Sequence, residues 1–123
     1  MSETESRSSA SDSTEPLGRL LATIGGQARR TNQVRIVQLR TALEQASEQG
    51  LDRAGWATAE RTAHQLAGSA GTFGFAGVSE RARRLERFFA DAVVATPDAE
   101  GLAAALVVLD EASTELDGDL QLD

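Results

Sequence analysis

"AHQLAGSAGTFGFAG" spans residues 63–77 and holds the chain's one histidine, His64, four residues before a glycine. Ala63, Leu66 and Ala70 recur at helical spacing, and the glycines of "GTFGFAG" (71–77) then turn the chain. Extended backwards, the same stripe takes in Ala59 and Trp56, and Asp52 supplies an N-cap. With about 100° per residue, His64 lies well off this stripe and faces water or the edge of a groove to a neighbouring helix. Gly68 sits one turn further on. A mid-helix glycine costs about 1 kcal/mol relative to alanine, and together with Ala67 it leaves a dent that keeps the approach to the imidazole open.

Working outward, Ile36, Leu39, Leu43 and Ala46 predict a helix from about Arg29 to Gln49, stopped at Gly50. After the glycine-rich turn, Val78, Ala82, Leu85, Phe89 and Ala92 predict a helix over Phe75 to Val94, with Phe73 and Phe75 as plugs at the bundle end. "ATPDAE" (95–100) offers Thr96 as a cap and Pro97 as first helical residue for a last helix. That helix carries Leu102, Leu106, Leu109 and Leu116 and ends at Gly118. "LGRLLATIGG" (17–26) adds a short N-terminal helix that stops at Gly25–Gly26 and caps one end of the others.

The expected fold is therefore all-α: an antiparallel up-down four-helix bundle with a short additional N-terminal helix, over residues 17–118. Residues 1–16, rich in Ser, Glu and Thr, read as a disordered tail, and 119–123 as a C-terminal tail.

The chain has 123 residues, a single domain's worth, and no cysteine, which fits a reducing, cytoplasmic setting without disulfides. No apolar run approaches the length of a membrane span, and "MSETES" does not read as a signal peptide. The net charge of −7 argues against nucleic acid. It is unevenly spread: residues 1–16 hold four acids and one arginine, 17–90 six acids and eleven arginines, and 91–123 nine acids and no base. One histidine and no clustered carboxylates beside it leave no metal site. The glycines of "GSAGTFG" lack the Gly-Lys-Ser/Thr of a nucleotide loop and follow a helix rather than a strand.

The stretch "HQLAGSAGTFGFAGVSERARRLE" (64–86) resembles the histidine phosphotransfer (HPt) domain of bacterial two-component phosphorelays. The family pattern of His-x-Leu-x-Gly-Ser, a glycine-containing turn and a Leu-Glu pair on the next helix falls on His64, Leu66, Gly68, Ser69, Gly71, Gly74, Leu85 and Glu86. The resemblance implies that His64 accepts a phosphoryl group from a receiver-domain aspartyl phosphate and passes it to another receiver. Arg61, Gln65, Ala67 and Gly68 would neighbour that group, with Gln65 either bonded to it or solvated, and Glu60 and Gly71 would help dock the partner. Many members carry Lys three residues after the histidine, where this chain has Ala67; Arg61 is the nearest local cation. Arg53, Arg81, Arg83 and Arg84 are further cations that the sequence does not place.

The implied partners are response-regulator receivers or a hybrid histidine kinase, met by a monomer. The receiver would bring Mg²⁺, so the chain is a phosphocarrier with no cofactor of its own rather than a complete enzyme. The alternative is a noncatalytic interaction module that binds a receiver or kinase without relaying phosphate, a reading supported by Ala67.

Overall fold

In the computed structural model, residues 16–118 are described with their side chains, and helix bounds beyond them refer to backbone only. The tails expected over 1–16 and 119–123 lie outside the described residues, Pro16 apart. The protein is all-helical, with α1 at Ser2–Glu48, α2 at Arg53–Thr72, α3 at Ala76–Val94 and α4 at Ala99–Leu122. Each helix packs on its neighbours in the chain, and α4 closes against α1 to complete a four-helix bundle.

The apolar stripes read from the sequence form the core. Ile36, Leu39 and Leu43 from α1 meet Trp56, Ala59, Ala63, Leu66 and Ala70 from α2. Val78, Ala82, Leu85, Phe89 and Ala92 from α3 and Ala105, Leu109, Ala112 and Leu116 from α4 complete it. Trp56 packs on Phe88 and Phe89, with ring centroids 6.2 and 6.1 Å away. At the other end Phe75 is buried, with the Arg29 guanidinium 5.3 Å from its ring centroid. Phe73, expected as a second plug, is exposed. It follows the end of α2, where its N–H caps the helix by donating to the Ser69 carbonyl, and its ring is not part of the core.

Local chemistry sets the boundaries. Gly50 and Gly74 adopt φ of +86° and +87°, a region that side chains disfavour, and so turn the chain after α1 and α2. Asp52 caps α2, its Oδ1 accepting from the Gly55 N–H at 2.8 Å. Asp52→Ala is expected to cost about 1 kcal/mol, read as a lower urea midpoint with an unchanged slope.

Three expected boundaries are corrected. The short N-terminal helix is not a separate element, because α1 runs unbroken through Gly25–Gly26. Neither glycine has positive φ, and without that reversal a glycine weakens a helix but does not end it. α4 is capped by Asp98 rather than Thr96: Oδ1 of Asp98 accepts from the Gly101 N–H at 2.7 Å. Pro97 therefore precedes the helix instead of opening it. The backbone of α4 also continues past Gly118 to Leu122. Among the described residues no helix is long and apolar enough to cross a membrane.

Candidate functional site

His64 projects from the middle of α2, one position past buried Ala63 and two before buried Leu66. This register holds the backbone rigidly while leaving the imidazole, 73% exposed, in solvent. Its Nδ1 lies 2.9 Å from Oε2 of Glu86 on α3. A carboxylate only accepts, so Nδ1 carries the proton and donates, and in the neutral ring Nε2 keeps its lone pair. Leu85, the residue before Glu86, is fully buried and anchors this part of α3. The Glu86 carboxylate is thus placed by the core it borders.

The histidine lies in a groove of about 400 Å³ between α2 and α3, lined by Glu60, Ala67, Gly68, Arg83, Glu86, Arg87 and Ala90. Ala67 is buried on the groove floor, and its carbonyl accepts from the buried Ser79 hydroxyl at 2.7 Å, tying α2 to α3 beneath the site. A Cβ added at Gly68 would meet nothing within 4 Å. Packing inside the chain does not require this glycine, so the space above it is open to a visitor.

Of the residues singled out from sequence, His64, Glu60, Ala67 and Gly68 come together in the groove, while Arg61 and Gln65 are exposed outside its lining. Gly71 is exposed in the last turn of α2. The cations that do line the groove are Arg83 and Arg87 of α3. Arg81 is engaged elsewhere, donating to Glu115 of α4 at 2.7 Å, and Arg84 lines a cleft between α3 and α4.

Arg87 escaped sequence reasoning, although a signal existed: Arg83 and Arg87 flank Glu86 at the spacing that shares one helix face. Ser69 has a structural part. Its hydroxyl accepts from Nδ2 of Asn32, a fully buried residue of α1 whose Oδ1 in turn accepts from Arg35. Among the described residues, no three His, Cys, Asp or Glu side chains converge as metal ligands.

The model of the Hpt domain matches residues 26–119, which include all four packed helices and the groove. The chain belongs to the Hpt domain family. As an Hpt domain it is a phosphotransfer module of phosphorelays, and its one histidine stands exposed on the bundle's flank. The matched range begins inside α1, beyond Leu17–Ile24, so that the first part of this helix lies outside the match. No curated protein and no solved structure matched the chain.

Proposed function

We propose that His64 receives a phosphoryl group on Nε2 from the aspartyl phosphate of a receiver domain and gives it up to the aspartate of another, within the cytoplasm. The observation that carries this reading is the Glu86–Nδ1 hydrogen bond on an otherwise exposed imidazole lining the groove, which leaves the free lone pair on Nε2. The Nε2 lone pair attacks phosphorus as the bond to the aspartyl oxygen breaks and the carboxylate leaves. Positive charge that develops on the ring is stabilised by Glu86, which retains its hydrogen bond to Nδ1–H. The reverse reaction on a second receiver regenerates the neutral ring.

Phosphoryl transfer relies on positioning and on neutralising the equatorial oxygens. In this reading Arg83 and Arg87 supply cations from the wall of the groove, opposite the position where Ala67 leaves room. The receiver brings Mg²⁺ with its own carboxylates. The surrounding architecture is an antiparallel up-down bundle, its connections of three and four residues too short for crossovers.

The test is to mix the protein with the phosphorylated receivers of its source organism and follow acid-labile label. Phosphate should appear on the chain, and ³¹P and ¹⁵N spectra should place it on Nε2. Absence of transfer from every receiver and kinase, or label on Nδ1, would overturn the reading. Arg87→Ala is expected to slow transfer about tenfold while leaving the fold intact, and Arg83→Ala with Arg87→Ala about a hundredfold, measured as single-turnover rates.

A further inference from the structure

Two side-chain hydrogen bonds join α2 to α3 among the described residues: His64 to Glu86 at 2.9 Å, and Ser79 to the Ala67 carbonyl at 2.7 Å. The second is internal, with Ser79 only 4% exposed, and its acceptor already pairs with the Gly71 N–H in the ladder of α2. Ser79 and Glu86 stand seven residues apart on α3, and Gly71 and His64 seven apart on α2. From one bond to the other, numbers rise on α2 as they fall on α3. The two bonds are thus matched rungs, about 10 Å or two helical turns apart.

The buried face of α2 is made largely of Ala59, Ala63, Ala67 and Ala70, with Trp56 and Leu66 as its large side chains. A face this smooth offers α3 few notches to key into, and apolar burial is non-directional. A hydrogen bond is directional and weakens steeply once its angle is lost. Gly71 makes room for the one at Ser79. A Cβ at that position would stand 3.2 Å from the Ser79 Oγ, a contact that persists only if Oγ gives way, whereas the Ser79 Cβ is 3.9 Å off, an ordinary distance.

We propose that Ser79 is a positioning residue for His64, on the reading that His64 is the phosphoryl acceptor. Its hydroxyl, admitted by the bare Gly71, fixes α3 along α2 at the register in which Glu86 reaches Nδ1 and holds the proton there. Gly71, which the family resemblance assigns to partner docking, thereby has a part inside the chain.

The experiment compares Ser79→Ala, Gly71→Ala and the double variant in the full chain. Ser79→Ala orphans no acceptor, because the Ala67 carbonyl keeps its helical partner, and circular dichroism should show a folded bundle. ¹⁵N spectra of the neutral ring should show the His64 proton moving in part from Nδ1 to Nε2. Single-turnover transfer at saturating phosphorylated receiver should slow about tenfold, with half-saturation unchanged within about twofold. Gly71→Ala should do the same by pushing Oγ off the carbonyl. The double variant should be no slower than either single, since both substitutions remove one bond.

A Ser79→Ala chain with wild-type Nδ1 protonation and transfer would overturn the proposal. So would slowdowns that multiply in the double variant, or a raised half-saturation with an unchanged maximal rate. Should Ser79→Ala fail to fold, Gly71→Ala, at an exposed position, decides by the same readouts. If the wild-type chain transfers nothing, the phosphotransfer reading falls by itself, and the tautomer shift still decides whether Ser79 positions the ring.

Discussion

His64→Gln is expected to leave a folded protein that takes up no detectable phosphoryl group. Glutamine has neither a free ring nitrogen nor any comparable nucleophile, so the loss is complete rather than partial. The fold should survive because the side chain is 73% exposed and none of the core layers depend on it. Its one tie, to Glu86, joins two groups at the surface, where such a pair contributes little to stability. The measurement pairs a label-transfer assay with a thermal melt: zero transfer with a melting temperature within a few degrees of wild type is the expected result. Label that persists in the variant would show that another residue carries the phosphate. A chain that binds a receiver equally well with and without His64, and transfers nothing in either form, would identify a noncatalytic interaction module.

Phe89→Ala should have the largest effect on stability. Phe89 is fully buried on α3 and touches both Trp56 of α2, at 6.1 Å between centroids, and Phe88, at 5.5 Å. Truncation removes apolar burial and leaves a cavity that a bundle of short-looped helices closes only in part, at a cost of about 3–5 kcal/mol. Native domains hold only about 5–15 kcal/mol in total. For a chain of this size the loss corresponds to a melting temperature lowered by about 15–25 °C. A calorimetric scan checks it, and a shift of only a few degrees would mean that the aromatic cluster repacks.

The periodicity in the sequence was enough to place the four helices of the bundle, because burial imposes the same rule on each. Leu66, Leu85, Leu109 and Leu116 sit on the stripes of three helices and are all fully buried in the bundle. The Asp52 cap was equally legible, since a cap acts within three residues. Errors arose where two local signals competed. Thr96 and Asp98 both suit a cap, and the choice depends on which oxygen reaches the Gly101 N–H, a matter of backbone direction that composition does not encode. Gly25–Gly26 looked like a stop because glycine permits a reversal, but nothing in the sequence requires that it take one.

At the site, His64 and Gly68 could be read from one helix alone. The role of Glu86 as partner of Nδ1 and the presence of Arg87 in the groove could not, because they depend on how α3 is rotated against α2. The Asn32–Ser69 hydrogen bond joins residues 37 apart and was invisible for the same reason.

The groove between α2 and α3 contains a single histidine, the one in the chain. In the proposed relay, one phosphorylatable ring serves both donor and acceptor, which then take turns at it. A relay built on such a carrier has the timing of a shuttle: each parcel of phosphate waits for one visitor to leave before the next arrives. In such a relay an unphosphorylated receiver in excess is an inhibitor by occupancy, so the ratio of carrier to receivers enters the timing of the signal alongside the chemical step.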